Sequence, residues 1–288
     1  MKTRSKEEIR QAVRESYGKV AKAGAVTLKT NQAASCCSPS DISADTMQTA
    51  FCGCGEQEFA LEQMSSVMGY SKKDLDSVPE GANLGLGCGN PVAIATLKAG
   101  ETVVDLGSGG GLDCFLASKK VGETGHVIGV DMTAEMVTKA RKNIEKTGAS
   151  NVEFRLGEIE HLPIADNSAD VIMSNCVINL SPDKPKVYGD AFRVLKPGGR
   201  LAISDILATV PLPKEVQTNL ALVSACVGGA ATIADTEKML KEIGFQNIKI
   251  TPKDESRELI RAWAPGQNAG DYVVSAYIEA IKPSTDIS

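Results

Sequence analysis

The chain has 288 residues, with 31 basic and 36 acidic side chains and a formal net charge of −5. This balance excludes the concentrated positive charge that binds nucleic acid or an anionic membrane surface, so small-molecule ligands are the favoured partners. The N-terminal region contains no apolar signal segment and no stretch of about 18 apolar residues occurs anywhere, which predicts a cytoplasmic protein that does not span a membrane.

Residues 5 to about 24 are predicted to form an amphipathic helix. Ser5 and Glu8 match a capping box, and Ile9, Val13 and Val20 recur at helical spacing. The apolar face of this helix must therefore pack against another part of the protein.

A cysteine-rich segment follows this helix. Residues 31–55 are small and polar, show neither helical nor strand periodicity, and hold four of the eight cysteines: Cys36, Cys37, Cys52 and Cys54. This pattern predicts a long loop or mobile arm. In a reducing compartment, so many thiols favour binding of a soft ion or catalysis over a disulfide framework.

From about residue 85 the sequence alternates short apolar runs with helical stretches, which is typical of an α/β fold with a parallel sheet. Strands are predicted at 102–106, 126–130, 152–156, 169–174 and 200–205, and helices near 112–121, 133–148 and 183–195. After residues 206–234 come a helix near 235–244 and two strands, "NIKITPK" and "YVVSAYIEAIKP", which are predicted to form an antiparallel pair.

The stretch "VVDLGSGGGLDC" places Gly107, Gly109 and Gly111 between the first strand and the next helix. Glycines at such a turn let the backbone approach a nucleotide-like ligand closely, although a glycine-rich turn can also be only a turn. The dinucleotide fingerprint requires a glycine where this chain has Leu112, which argues against NAD. Asp131 ends the second strand, where a carboxylate can accept both ribose hydroxyls or cap the next helix.

Four motifs in order, "DLGSGGG", Asp131, "GEIEHLPI" and "VLKPGG", resemble the class I S-adenosylmethionine-dependent methyltransferases over roughly residues 85–283. The resemblance implies a Rossmann-like, mostly parallel seven-stranded sheet with an antiparallel last strand. It also implies the cofactor-binding residues: Asp105, Gly107 and Gly109 at the methionine part, Asp131 and Met132 at the ribose, and Ile159 and Glu160 at the adenine. The expected division is a helix and arm (1–84), a methyltransferase domain (85–283) with an insertion (206–234), and a tail (284–288).

Cysteines occupy three positions where a ligand could bind. Cys176 in "SNCVINL" follows the fourth strand, beyond whose carboxyl end an open α/β sheet binds its ligands. Cys88 precedes a predicted N-cap at Asn90, and Cys226 lies in "SACVGGA". Each could instead be a small core residue, but thiols suit a soft ligand better than a hard acceptor. Structural zinc is disfavoured because the spacing C-x-x-C is absent.

The motifs "GLGCGNP", "SNCVINL" and "ACVGGA", in this order on this fold, resemble the arsenite S-adenosylmethionine methyltransferases in their prokaryotic form. The resemblance implies that Cys88, Cys176 and Cys226 bind trivalent arsenic, so that arsenite is the substrate. It further implies that an arm cysteine, assigned to Cys37 with Cys36, Cys52 and Cys54 as alternatives, assists turnover with thioredoxin or glutathione as the external thiol reductant.

Other functions stay open at this point. A methyltransferase for an organic acceptor such as a quinone shares the fold but does not require three thiols at one cleft. A non-enzymatic arsenite-binding or thiol redox-sensing protein accounts for the cysteines but leaves the glycine loop and Asp131 without a role. The chain also has "LGLG" at 84–87, where eukaryotic arsenite methyltransferases have aromatic residues, which leaves the number of methyl groups added undecided.

Overall fold

The computed structural model describes residues 5–24, 61–263 and 269–284. The predicted cysteine-rich arm, with Cys36, Cys37, Cys52 and Cys54, and the end of the predicted tail lie outside the described residues. In the part of the chain that is described, no helix is both long enough and apolar enough to cross a bilayer.

The centre of the protein is a seven-stranded sheet. Its strands are β1 (Thr102–Leu106), β2 (His126–Asp131), β3 (Val152–Leu156), β4 (Ala169–Asn175), β5 (Leu195–Ala208), β6 (Gln246–Lys253) and β7 (Val273–Ile281). The order across the sheet is β3-β2-β1-β4-β5-β7-β6, with β7 antiparallel to both of its neighbours and the other pairs parallel. The predicted fold class is therefore confirmed.

Helices cover both faces of the sheet and extend beyond its carboxyl edge. They are α1 (Lys6–Ala23), α2 (Leu61–Val67), α3 (Lys72–Asp76), α4 (Pro91–Ile94), α5 (Leu112–Val121), α6 (Ala134–Thr147), α7 (Lys184–Val194), α8 (Lys214–Thr218), α9 (Leu220–Ser224), α10 (Ile233–Ile243) and α11 (Ser256–Trp263). The longer helices among these match the predictions within two residues, because their apolar periodicity and end signals are clear. The short helices α2, α3, α8 and α9 and the helix α11 are absent from the predictions, since a few turns carry little periodicity.

Strand β5 is longer than the predicted 200–205 at both ends. Pairing with β7 continues from Arg200 to Ala208, and Leu195 pairs with Ala169 of β4 across an irregular register. The "KPGG" turn therefore lies within the strand rather than before it. The core on either side is built from the buried Val, Ile and Leu residues of β1, β2, β4 and β5.

Helix α1 begins at Ser5, whose side chain accepts a hydrogen bond from the backbone of Glu8, and the predicted capping box is present. The helix packs against α6 and α9. Val13 is fully buried, and Tyr17 and Val20 pack on two hydrophobic clusters. The predicted apolar face therefore covers the region of the sheet edge where β1, β2 and β4 end.

Candidate active site

A cavity of about 260 Å³ lies at the carboxyl ends of β1, β2 and β4. Most of the predicted site residues line it: Asp105, Gly107, Gly109, Asp131, Met132, Ile159, Glu160, Cys176 and Cys226. Cys88 is buried and does not line the cavity, whereas the residues just before it, Gly85, Leu86 and Gly87, do. The structure therefore brings the predicted cofactor residues and two of the predicted thiols to one cavity, and packs Cys88 in the same cluster as these two thiols.

The glycine loop forms the floor of the cavity. Gly107, Gly109 and Gly111 all have positive φ angles, of 69°, 51° and 96°. A side chain at Gly107 would collide with Val177, whereas a Cβ at Gly109 would meet nothing within 4 Å. Gly109 is thus the position where the backbone itself faces open space, as close approach of a ligand requires.

Asp131 ties the glycine loop to the start of α6. One carboxylate oxygen, Oδ1, accepts the backbone N–H of Thr133 at 2.8 Å, and Oδ2 accepts that of Gly109 at 3.0 Å. Burial raises the pKa of Asp131, and the two hydrogen bonds, which favour the charged form, only partly offset this effect. The residue therefore holds the loop and the helix in register, and its remaining lone pairs face the cavity that it lines.

A second buried carboxylate, Asp113, is a site residue that the sequence analysis missed. Tyr70 Oη donates to Asp113 Oδ1 at 2.7 Å and Asn175 Nδ2 donates to Asp113 Oδ2 at 3.2 Å. Burial raises the pKa of Asp113 to about 6. Burial and the nearby charge of Asp113 raise the pKa of Asp105 as well, and the buried Cys114 donates its thiol to Asp105 at 3.3 Å. The available signal was an acidic residue among the apolar residues that begin α5, in "LDCFLA".

At the opposite wall, Glu160 is buried and hydrogen-bonded. It accepts from Ser181 Oγ at 2.6 Å and from Arg10 of α1 at 3.4 Å. Its neighbour Ile159 belongs to the hydrophobic core and also lines the cavity. The two residues thus present an apolar surface next to a fixed acceptor.

The three predicted thiols meet at one end of the cavity. Cys176 lies beside both Cys88 and Cys226, and hydrogen bonding to these two thiols, with burial, holds the pKa of Cys176 well above its usual value. Cys226 Sγ donates to the carbonyl of Cys176 at 2.8 Å, and Cys88 Sγ lies 3.6 Å from Ser204 Oγ. All three are buried and reduced.

Each thiol is satisfied by a neighbour in this arrangement. Within residues 5–24, 61–263 and 269–284, no three His, Cys, Asp or Glu side chains are already grouped to hold a metal ion. A soft ion would therefore have to replace the thiol hydrogen bonds with bonds to sulfur. Cys37 lies outside the described residues.

The backbone is strained at two of the three thiol positions. Cys176 and Cys226 have φ angles of 59° and 62°, in the left-handed region that residues other than glycine seldom adopt. The loop that carries Cys88 approaches β4 and β5 so closely that a Cβ at Gly87 would collide with Asn175, and one at Gly89 with Ser204. Strained positions of this kind persist where the surrounding structure holds them.

Two asparagines hold these positions. Asn175 accepts the backbone N–H of Cys88 at 3.0 Å and donates to the carbonyl of Gly89 at 2.8 Å. Asn179 donates to the carbonyl of Cys226 at 3.3 Å and to Asp205 Oδ1 at 3.1 Å.

Asp205 is buried at the end of this network. Its Oδ2 accepts the backbone N–H of Ile178 at 3.0 Å and its Oδ1 that of Ile206 at 2.7 Å. Burial raises its pKa to about 6. Asn175, Asn179 and Asp205 are not among the predicted site residues, although polar residues inside the apolar runs "SNCVINL" and "LAISDILA" are a visible signal.

Helix α1 forms the remaining wall of the cavity. It contributes Arg10, Val13, Ser16, Tyr17 and Val20. Arg10 and Arg14 form ion pairs with Glu158, and Arg14 is 2.5 Å from its partner. The helix was predicted, but its position over the cavity was not, because periodicity identifies a buried face and not its partner.

Known proteins are similar to this chain over most of its length. Residues 97–244 match the family described as a methyltransferase domain. The chain is 50% identical to an arsenite methyltransferase of Halobacterium salinarum over 98% of its own length and 69% of that protein. An arsenite methyltransferase of Aquipseudomonas alcaligenes is 43% identical over 65% of this chain and 56% of that protein.

A solved structure agrees with these relatives. The arsenic(III) S-adenosylmethionine methyltransferase of Chlamydomonas reinhardtii superposes with a TM-score of 0.58 at 30% identity, covering 77% of this chain and 74% of that one. The residues that match the methyltransferase domain family, 97–244, include the glycine loop. The chain belongs to the S-adenosylmethionine-dependent methyltransferases and, within them, to the arsenite methyltransferase family.

Proposed function

We propose that this protein transfers the methyl group of S-adenosylmethionine to trivalent arsenic bound by Cys88, Cys176 and Cys226, and that it serves arsenic detoxification in the cytoplasm. The observation that supports the proposal most strongly is the packing of the three buried cysteines in one cluster, two of them lining a cavity whose floor is the glycine loop. A thiol cluster suits a soft acceptor, whereas an oxygen or nitrogen acceptor calls for a general base.

The residues around the cavity fit the cofactor. The open space above Gly109 and the buried carboxylates of Asp105 and Asp131 suit a ligand that carries a cationic end and a ribose. Ile159 and Glu160 offer the apolar surface and acceptor that an adenine ring needs. When bound, S-adenosylmethionine supplies an electrophilic methyl group on a positively charged sulfonium.

The protein contributes position rather than acid–base chemistry. Three thiolates leave trivalent arsenic with a lone pair, which makes arsenic itself the nucleophile, so no protein base is required. The buried, strained positions of Cys176 and Cys226 fix the direction in which that lone pair points. Alignment of this kind contributes up to roughly 7–11 kcal/mol in well-oriented reactions.

Turnover requires a reductant. Forming the arsenic–carbon bond uses the lone pair and formally oxidises arsenic by two electrons, which thiols must return before the next methylation. We assign this role to Cys37, in the helix and arm region (1–84), and Cys88: the two thiols each give up one electron and form a disulfide with each other. Thioredoxin or glutathione then reduces this disulfide by thiol exchange. The domain 85–283, with its insertion 206–234 carrying Cys226, would then hold the cofactor and the arsenic.

The test is arsenic speciation. Purified protein is incubated with S-adenosylmethionine, arsenite and a thioredoxin reducing system, and the products are separated by chromatography with arsenic-specific mass detection. Cofactor-dependent methylated arsenic is expected, and none in a reaction that lacks the cofactor. If S-adenosylhomocysteine binds but arsenite stays unmethylated, the acceptor assignment is wrong, and a quinone analogue is the next acceptor to assay.

A further inference from the structure

Tyr17 lies at the thiol end of the cavity, although it belongs to α1, far from the three cysteines in sequence. Its ring packs in the same hydrophobic cluster as Cys88, Cys176 and Cys226. It also lines the cavity, with Val13 and Val20 on the same face of the helix. Tyr17 is therefore the residue through which α1 presents a hydroxyl group to the thiols.

The hydroxyl of Tyr17 is held loosely. It donates to the carbonyl of Ser224 at 3.3 Å, which is long for an O–H donor. Ser224 lies two residues before Cys226, and the tyrosine ring packs on the cluster that contains this cysteine. A phenol is protonated at neutral pH and is therefore available as a donor.

Cys226 changes its hydrogen-bonding role when it becomes a ligand. In this structure its thiol is itself a donor, to the carbonyl of Cys176 at 2.8 Å. As a thiolate it loses that proton and becomes an acceptor only. The Tyr17 hydroxyl, whose present bond to the Ser224 carbonyl is long, is then a donor available to this sulfur.

The rest of α1 fixes the ring in place. Arg14 pairs with Glu158 at 2.5 Å, Arg10 reaches Glu160 at 3.4 Å, and Val13 is buried beneath the helix. These contacts anchor the helix before its tyrosine, and after it Ala21 is buried and Lys22 pairs with Glu135 at 3.1 Å. The ring is therefore held beside the cysteine cluster.

We propose that Tyr17 is a positioning residue for the acceptor: its hydroxyl donates a hydrogen bond to the Cys226 sulfur when that sulfur binds arsenic, and so stabilises the third thiolate bond. This inference rests on the proposed function, because it takes arsenite as the ligand of the three thiols. It assigns to the N-terminal helix a direct part in acceptor binding.

The test compares Tyr17→Phe with Tyr272→Phe in the full-length chain. Tyr272 packs on the same hydrophobic cluster but does not line the cavity, so its variant controls for loss of a hydroxyl alone. Arsenite binding is measured by equilibrium dialysis with a phosphine reductant, and S-adenosylhomocysteine binding by calorimetry. Tyr17→Phe is expected to weaken arsenite binding by roughly tenfold, as loss of a donor to a charged group does, with cofactor affinity changed less than twofold.

Two results would overturn the inference. One is arsenite affinity in Tyr17→Phe within twofold of the unaltered protein. The other is an equal loss of arsenite and cofactor affinity, which would mean that the ring serves only to pack α1. Because binding is measured without turnover, failure of the proposed function is a separate result: an unaltered protein that binds arsenite through its cysteines but forms no methylated product.

Discussion

The cofactor end and the thiol end of the cavity are built in different ways. At the cofactor end, the glycine loop and Asp131 follow consecutive strands, and backbone hydrogen bonds from Gly109 and Thr133 fix the carboxylate. At the thiol end, Cys88, Cys176 and Cys226 come from three distant segments, and two of them have positive φ angles.

The two ends therefore differ in what maintains their backbone conformation. A glycine loop adopts its conformation with little strain, so the cofactor end needs few supports. A cysteine in the left-handed region costs of order 1 kcal/mol and persists only where neighbours hold it, as Asn179 and Asp205 hold the loops of Cys176 and Cys226. The thiol end should therefore be the more sensitive to substitution of residues that never touch a ligand.

The largest expected effect comes from Cys176, which contacts both other thiols. Cys176→Ser should reduce arsenite methylation to background, because a hydroxyl binds trivalent arsenic far more weakly than a thiolate does. Affinity for S-adenosylhomocysteine should stay within about twofold, since the glycine loop is untouched. Arsenic speciation and a cofactor titration on the same preparation measure the two effects. An active variant would remove Cys176 from the acceptor site.

The buried carboxylate at the thiol end should make stability depend on pH. Burial raises the pKa of Asp205 to about 6, so the folded state takes up its proton more readily than the unfolded chain does. Its stabilising contribution is complete below about pH 4 and is lost as the pH rises through about 6. The free energy of unfolding of the unaltered protein, relative to Asp205→Asn, should fall by about 3 kcal/mol between those limits.

Urea denaturation at several pH values measures this difference, and Asp190→Asn provides a control of opposite sign. Burial of Asp190 is outweighed by its hydrogen bonds with Arg193, which lower the pKa of the carboxyl. The stability conferred by Asp190 should therefore increase as the pH rises through the acid range. If the effect on the free energy of unfolding changed with pH in the same direction for both variants, the Asp205 carboxylate would not be destabilised by burial.

The cofactor end can be tested separately through Asp131. Asp131→Asn turns one acceptor oxygen into a donor that faces the backbone N–H of either Gly109 or Thr133. Affinity for S-adenosylhomocysteine should fall by roughly tenfold or more while arsenite binding is unchanged. Cys226→Ser should give the reverse pattern. Loss of both affinities in either variant would mean that the two ends are not independent.

Much of the fold and the cofactor end follows from local sequence. The strands around the glycine loop are continuous apolar runs, and the loop, Asp131 and the helix α6 are adjacent in the chain, so short-range patterns were sufficient. The antiparallel pairing of the last two strands was predicted from the sequence pattern, and the family resemblance implied a mostly parallel sheet of seven strands. The order of the strands across the sheet was not predicted. The structure adds Asp113, whose role depends on Tyr70 and Asn175 packing against it from distant segments.

The residues that hold the thiol end in place could not be predicted from short-range sequence patterns. Asn179 and Asp205 act by joining loops that are separated by the whole of β5 and its flanking segments, and no local spacing records that contact. Likewise, the periodicity of α1 predicted a buried face with Val13 and Val20 but not that Tyr17 would pack on the cluster that contains Cys226. Residues that contact partners from distant segments of the chain can be identified only from the structure.

The smallest expected effect concerns α1, which spans both ends of the cavity. Ser5→Ala removes the side-chain acceptor of the Glu8 backbone N–H and should cost about 1 kcal/mol of helix stability. Ser71→Ala removes the same cap from α3, where Ser71 accepts the N–H of Asp74, and is the matched control. Because α1 lines the cavity and α3 does not, only Ser5→Ala should weaken cofactor and arsenite binding together, by less than about tenfold. Calorimetric titrations measure the affinity of both variants for the cofactor and for arsenite. If Ser5→Ala and Ser71→Ala bind each ligand equally well, the helix is held by its ion pairs and buried face alone. If Ser5→Ala loses affinity for both ligands, α1 is the element that links two otherwise independent ends.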